Sequence, residues 1–468
     1  MIPMTLNEIA AVVGGETHGD RDVVVSGPAF VDSRTPRAGG LFVAVAGEHA
    51  DGHDYAADAV RSGGSAVLAS RPVDAPCVVV DDPVEALGSL AAHVVAQLPE
   101  CRVVAITGSQ GKTGTKDLVA QILEQAGPTI APRESFNNEL GVPLTALEAD
   151  RSTRHLVIEM GARGHGHIGY LAGIVEPDVG AVLNIGIAHL GEFGSRDDIA
   201  RAKGELVQAL PADGLAVLNA DDDLVVGMRA LTETRVLTFG RARPADVSVS
   251  DLALDRLARP RFRLSLPDGA VDVALPLVGE HQAANAVAAA AVAHGCGVGS
   301  ETIAYALNHA EPRSPWRMEV HERADGVTVV NDAYNANPDS VRAALHTLVA
   351  LGGGERRTVA VLGEMKELGA AAAEEHTAVG RQAARLGVAR LLVVEEGARA
   401  IHTGAELEGY RNGESVFVPD VDAAIERLRE DVGVGDVVLV KASRAAGFER
   451  IAEALLTHPV RDPERLGS

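Results

Sequence analysis

The sequence predicts an α/β protein of three domains: a small N-terminal α/β unit, a central domain on a mostly parallel sheet, and a C-terminal Rossmann-like unit. The chain has 468 residues, room for about three domains of roughly 150 residues each. Apolar runs of strand length alternate with amphipathic helical stretches along most of it, the pattern of a parallel sheet covered on both faces. Two breaks divide this pattern: a Pro-Glu-Cys stretch at 99–101, and the segment EPRSPWRMEV, which starts at 311 and has two closely spaced prolines. The expected domains are therefore 1–99, 100–311 and 312–468.

In the first unit, GGLFVAVAG and SAVLAS have strand character, and DPVEALGSLAAHVVAQL has helical periodicity. The second unit opens with the strand RVVAIT, a short glycine loop and the helix KTGTKDLVAQILEQAG. The strands HLVIEM, VGAVLNIG, GLAVLNA and RVLTFG follow, and an alanine-rich helix over 281–294 closes the unit. The third unit starts with the strand VTVVND and a helix from Pro338 to Ala350. It continues with strand RTVAVLG, helix 373–387, strands RLLVVEEG and SVFVP, helix 421–430 and strand DVVLVKAS.

Hydrophobic residues make up 46% of the chain and charged residues 23%, enough apolar content for each unit to bury a core. The net charge of −23 argues against nucleic acid as a partner, since a phosphate backbone needs a basic face. It leaves room for a small anion in a locally positive cleft. Cys77, Cys101 and Cys296 are scattered, with neither a disulfide framework nor zinc spacing, as suits a reducing cytosol. The N-terminus lacks the basic stretch of a signal peptide, and no apolar run of about 18 residues is present. A cytoplasmic monomer acting on small molecules, away from membranes, is the expectation.

Five lysines stand among 42 basic residues: Lys112, Lys116, Lys203, Lys366 and Lys441. Lysine is a compact charge that can lose its proton, and arginine is neither compact nor able to do so. A chain that relies on arginine elsewhere has reason to keep lysine for chemistry, although five could also survive by chance.

The glycine loop, AITGSQGKTGTKD at 105–117, has the Gly-Lys-Thr of a phosphate-binding loop, but Ile106 stands where the full pattern needs its first glycine. The loop is therefore shortened. Strand, loop and helix are in the order such a loop requires. Backbone N–H groups from Gly108 through Ser109, Gln110 and Gly111 to Lys112 would hold phosphate oxygens at a helix N-terminus. Lys112 would sit on the β and γ phosphates, and the Thr113 hydroxyl would reach Mg²⁺.

Glu159 and Asn184 fall at or near the C-terminal ends of predicted parallel strands, where ligands bind in open α/β sheets. His189 follows a few residues later, and a carboxylate with a neutral imidazole there suits a second hard cation. Lys203 shares a predicted helix face with Ile199 and Leu206. A lysine on such a face ordinarily snorkels to solvent, and in this lysine-poor chain a surface role and a chemical role both stay open. Asp332 and the polar residues after it end the third unit's first strand, ahead of a helix that starts on Pro338.

Taken together, TGSQGKT, NNELGVP, EMGARGHGHI, NIGIAHL, AKGEL, GEHQAANAVAA and NDAYNANPDS resemble the Mur ligase family of ATP-dependent amide-bond-forming enzymes, in that family's order and over essentially the whole chain. DAYNANP is similar to the branch that adds D-alanyl-D-alanine. The resemblance implies a three-domain fold with ATP and two Mg²⁺ ions. The implied substrates are UDP-N-acetylmuramoyl-tripeptide and D-alanyl-D-alanine, joined through an acyl phosphate in peptidoglycan precursor synthesis. The shortened loop is then a family trait.

By this resemblance, Thr107, Gly108, Ser109, Gln110, Gly111, Lys112, Thr113 and Gly114 hold ATP, with Lys112, His189 and Lys203 catalytic. Thr113 and Glu159 match ligands of one magnesium, and His189 of the second. Lys203 matches a lysine that the family carbamylates, which would turn an ammonium into a metal-binding carboxylate analogue. Asn285, Arg317, Asp332, Tyr334, Asn335 and Asn337 match the adenine and ribose side. Ser33, Arg34, Gly47, Asp51 and His53 match the UDP-substrate motif, and Asn137 and Asn138 lie in NNELGVP. Lys441, Ser443 and Arg444 resemble a pattern near the incoming dipeptide, with Ala442 where glycine is usual. A folylpolyglutamate synthetase-like ligase would lack the first unit with its DGHDY stretch. A non-ligase NTPase of the same loop type usually ends the corresponding strand in Asp rather than Glu159.

Overall fold

The computed structural model describes residues 1–47, 50–132, 134–186, 193–411 and 413–457. The N-terminal part carries a four-stranded sheet in the order Glu16–His18, Cys77–Val79, Ala66–Ala69, Leu41–Val43. Its helix Pro83–Ala96 starts as the sequence dictates: Asp82 caps the N–H groups of Val84 and Glu85, and proline takes the first turn. Leu87, Leu90 and Val94 of this helix belong to one buried cluster with Val103, Leu156, Leu171 and Ile174 of the middle part. The two parts thus share a core.

The middle sheet has nine strands. From one edge they run Gly269–Ala274, Pro260–Leu266, Val247–Leu254, Arg235–Gly240, Leu215–Asn219, Val179–Val182, Arg102–Thr107, His155–Glu159 and Thr129–Ile130. The strands from Val247–Leu254 to Thr129–Ile130 pair in parallel, whereas Val247–Leu254, Pro260–Leu266 and Gly269–Ala274 form an antiparallel meander. The sequence reading had no strands over 247–274. Their signal is strict alternation, with Phe262 and Leu264 buried between exposed Arg261 and Arg263, not the apolar run of a doubly covered strand.

The helix His281–Gly295 is buried on nearly every side, with Ala286, Ala288, Ala289, Ala290 and Ala291 all at 1% exposure or less. Small side chains let it lie close to the helix Lys112–Glu124.

The third part holds a six-stranded sheet in the order Glu319–Glu322, Thr328–Asn331, Val437–Lys441, Thr358–Leu362, Arg390–Val394, Ser415–Val418. All pairs are parallel except the first, an antiparallel edge strand. The segment read as a linker runs into that edge strand. Within it, Trp316 and Met318 have left-handed backbones, at φ 56° and 50°. Tyr334 N–H donates to Trp316 O at 3.1 Å and Met318 N–H to Asp332 Oδ1 at 3.2 Å, which holds this path against its steric cost. Among the described residues, no helix is long and apolar enough to cross a membrane.

Candidate active site

A cavity of about 700 Å³ opens where the C-terminal ends of the middle and third sheets meet. Its middle-part wall is the glycine loop. Arg102–Thr107 delivers the chain into the loop, and Gly111 at φ 78° turns it into the helix that begins at Lys112. Asn184, at the end of the neighbouring strand, fixes the loop from outside. Its Oδ1 accepts from Gln110 N–H at 3.0 Å, its Nδ2 donates to Gln110 O at 3.1 Å, and its own carbonyl accepts from Ser109 N–H at 3.1 Å. Thr107 Oγ1 donates to Met160 O at 2.9 Å on the other side.

Glycine is required at 111 and 114 for contact with the next helix. A Cβ on Gly111 would fall 2.6 Å from Asn285 Oδ1, and one on Gly114 would fall 2.7 Å from Asn285 Nδ2. Asn285 is oriented by Gln282 Oε1 at 2.9 Å.

Lys112 Nζ curls back onto Gly108 O at 2.8 Å. Burial lowers its pKa, partly countered by Glu159. Thr113 Oγ1 donates to Glu159 Oε2 at 2.9 Å and also contacts Ser135 Oγ. Glu159 is 1% exposed and accepts from Asn137 Nδ2 at 2.8 Å. Asn138 Oδ1 accepts from Gly141 N–H at 2.9 Å, at the start of the helix Gly141–Ala146.

The third-part wall brings Asp332, Tyr334, Asn335 and Asn337 to the same cavity, with Lys441, Ser443 and Arg444. Lys441, 3% exposed, is bound to Asp332 Oδ2 at 2.6 Å and to Asn335 O at 2.8 Å. Asn337 caps the helix Pro338–Gly352. Arg317 joins the walls, since its Nη2 donates to Ser135 Oγ at 2.6 Å and its guanidinium lies 4.2 Å from the Tyr334 ring centre. Arg444 stacks 4.1 Å from the Trp316 ring centre. Among the described residues, Arg317 Nε and His281 Nδ1 on the cavity wall are buried with no hydrogen-bond partner. Such atoms ask for a partner from outside the chain.

Ser33, Arg34, Gly47, Asp51 and His53 do not line this cavity. Arg34 forks onto Asp32 at 2.8 and 2.9 Å, and Gly47 N–H closes a turn on Ala50 O at 2.9 Å. Asp51 bonds His53 Nδ1 and Arg71, which holds its carboxyl well below the usual range. His53 Nε2 accepts from Ser70 N–H at 3.0 Å, so its proton sits on Nδ1, facing Asp51.

Lys203 is 3% exposed on the helix Arg196–Gln208, with Ile199 and Leu206 buried beside it. It is therefore not a snorkelling lysine. Burial and the neighbouring Lys112 push its pKa well below the ordinary value. His189 lies outside the described residues. Sequence reasoning missed Ser135, His281, Lys366 and Glu367, all of which line the cavity. Lys366 carried a signal, as one of five lysines and just past the end of a predicted strand.

The chain matches the family model of the Mur ligase middle domain over 106–293, that of the Mur ligase glutamate ligase domain over 316–444, and that of the Mur ligase family catalytic domain over 30–95. It is 48% identical to the UDP-N-acetylmuramoyl-tripeptide–D-alanyl-D-alanine ligase of Mycobacterium tuberculosis, over 97% of this chain and 98% of that one. The ligase of the same name from Escherichia coli (strain K12) is 36% identical, over 97% and 99%. The chain belongs to the Mur ligase family.

Solved structures of this family superpose over nearly the whole chain. A crystal structure of MurF from Acinetobacter baumannii gives a TM-score of 0.86 at 32% identity, covering 97% of this chain and 99% of the other. The MurF ligase from Thermotoga maritima in complex with ADP gives 0.76 at 29%, covering 92% and 97%. Folylpolyglutamate synthase from Mycobacterium tuberculosis, complexed with ADP, shares the fold alone, with a TM-score of 0.61 at 17% identity over 81% of this chain and 94% of that one.

Proposed function

We propose that this Mur ligase uses ATP to join D-alanyl-D-alanine to UDP-N-acetylmuramoyl-tripeptide, completing the pentapeptide precursor of peptidoglycan in the cytoplasm. The observation that carries the reading is a cavity that holds a phosphate loop on one wall and the polar turn of another domain on the other. A motor or regulatory NTPase has no use for a second wall of this kind.

A carboxylate is a poor electrophile, and phosphorylation makes it one that an amine can attack. The chain's part is to hold two anionic partners together and bring a zwitterionic dipeptide to them. Loop N–H groups and Lys112 take the phosphates, and Lys112 reaches them by leaving Gly108 O. Arg317, with its unpartnered Nε, and the Tyr334 face suit the nucleotide. His281 offers a buried Nδ1 beside them. The donor set fits Mg²⁺: Glu159 and Thr113 supply one carboxylate and one hydroxyl, and such sites draw their remaining ligands from phosphate and water. Among the described residues, no cluster of three or more His, Cys, Asp or Glu side chains forms a self-sufficient metal site. A bound Mg²⁺ would neutralise phosphate charge.

We place a carbamate on Lys203 and the second ion beside it. Support comes from the lysine's burial and lowered pKa, because only a neutral amine adds to CO₂. Residues 1–99 take the UDP moiety, 100–311 the ATP, and 312–468 the dipeptide, in a chain that acts as a monomer.

The test is a coupled assay of ADP release. ADP should appear in quantity only with tripeptide substrate and D-alanyl-D-alanine both present. ATP consumption indifferent to the amine would sink the ligase reading.

A further inference from the structure

The loop after the strand Thr358–Leu362 sends two consecutive charged residues, Lys366 and Glu367, to the cavity. Its backbone is fixed at three points. Gly363 N–H donates to Lys441 O at 3.0 Å, Met365 N–H to His376 Nε2 at 2.9 Å, and Lys366 N–H to Ser443 Oγ at 3.0 Å. Met365 and Leu368, flanking the pair, are 1% and 3% exposed. Between these anchors Glu367 is held at φ 67°, where glycine is the natural occupant. Two positions on, at φ 56°, the residue is indeed glycine, Gly369. A strained non-glycine residue persists where its surroundings over-determine it, and such residues gather at ligand sites.

Among the described residues, four carboxylates line the cavity. Glu367 is the exposed one of the four. Its charge reaches across the domain junction and partly offsets the effect of burial on Lys112. Both residues line the same cavity, Glu367 from the third part and Lys112 from the phosphate loop.

We propose that Glu367 receives the ammonium of the incoming amino substrate and takes its proton, while Lys366 faces the carboxylate of the same molecule. This rests on the ligase reading above. A dipeptide at neutral pH is a zwitterion, and its nitrogen has no lone pair until one proton leaves. Glu367 takes that proton. The freed lone pair forms the C–N bond at the acyl-phosphate carbon, and the C–O bond to phosphate breaks. The second proton departs with inorganic phosphate as HPO₄²⁻. One proton then rests on Glu367 for return to solvent, so atoms and charges balance. The phosphate loop occupies the opposite wall. The amine therefore arrives along the third part, where an adjacent anion and cation complement a zwitterion.

The experiment compares Glu367→Gln, Glu367→Asp and Lys366→Ala with the wild-type chain. Glu367→Gln should raise KM for D-alanyl-D-alanine about tenfold or more and lower kcat, with KM for ATP unchanged within about twofold. Acyl-phosphate formation, trapped with borohydride from ATP and the tripeptide substrate without dipeptide, should proceed at the wild-type rate. Glu367→Asp should recover part of the loss. Lys366→Ala should weaken the dipeptide but not its C-terminal amide.

An unchanged dipeptide KM in Glu367→Gln overturns the proposal. So does slowed acyl-phosphate formation, which would make Glu367 a partner of Lys112 instead. Absence of acyl phosphate in the wild-type chain would strike the ligase reading, a distinguishable failure.

Discussion

Two strand-to-helix turns meet at the cavity, and they are built in opposite ways. The loop 107–113 has two glycines and mostly short side chains. Asn184 grips it from behind, and its lysine, Lys112, rests on a carbonyl of its own loop. The turn 331–338 is crowded with polar side chains, and its lysine partner, Lys441, is locked under it by Asp332 and Asn335. One lysine is available and the other is structural, although both line the same cavity. A neutral backbone carbonyl releases Lys112 to a better acceptor at little cost, whereas a buried carboxylate does not release Lys441. Whether a residue lines a site therefore says less about its role than what holds it there.

The difference is sharpest in stability. Lys441→Met leaves Asp332 buried without its cation, and a broken buried pair costs about 3–5 kcal/mol, so urea denaturation should show a large loss. Lys441→Met combined with Asp332→Leu should regain much of it. Equal stabilities for the wild type and Lys441→Met would erase the contrast.

Lys112→Ala should do the reverse. Removing a single charge from phosphoryl transfer lowers kcat by roughly 10²–10³, with the denaturation midpoint nearly unmoved. Near-normal turnover in a folded variant would remove Lys112 from the site.

Lys203 tests which kind of lysine it is. Lys203→Ala should be nearly inactive, with short carboxylic acids restoring part of the rate by filling the vacated position and small amines doing nothing. Rescue by amines, or full activity, would leave it structural like Lys441.

The smallest effect belongs to the loop's shape. Gly111→Ala meets Asn285 Oδ1 and a left-handed backbone, a strain of about 1–2 kcal/mol. Pairing it with Asn285→Ala should relieve the steric share but not the backbone share. Full recovery in the double variant would show that backbone conformation at 111 is unimportant.

Much of this was legible in the chain. The loop, its strand and its helix are local features, and a glycine-rich turn between an apolar run and a helical period marks all three. Glu159 and Asp332 were legible because strands end where parallel sheets bind ligands. The strands over 247–274 escaped because polar and small residues alternate with their apolar ones, so no apolar run announces them. Glu367 escaped for a different reason. Its backbone strain is set by anchors distant in the chain, and its electrostatic reach to Lys112 arises only when two domains meet, so no window of sequence contains either. The first domain's motif shows the converse limit: the residue types in DGHDY are conspicuous, yet Asp51 and His53 turn toward each other, Ser70 and Arg71 rather than toward the cavity.

The scarcity of lysine also shapes how the protein can be handled. Lys116, Lys203 and Lys441 are at most 3% exposed, while Lys366 is exposed and Lys112 half-buried, both on the cavity. Amine-reactive dyes, cross-linkers and coupling resins normally scatter over a protein's surface. On this one their lysine targets converge on the mouth of the reaction chamber. Random amine labelling would therefore act as active-site-directed inhibition, and protection by bound nucleotide would turn a routine conjugation into a footprint of occupancy.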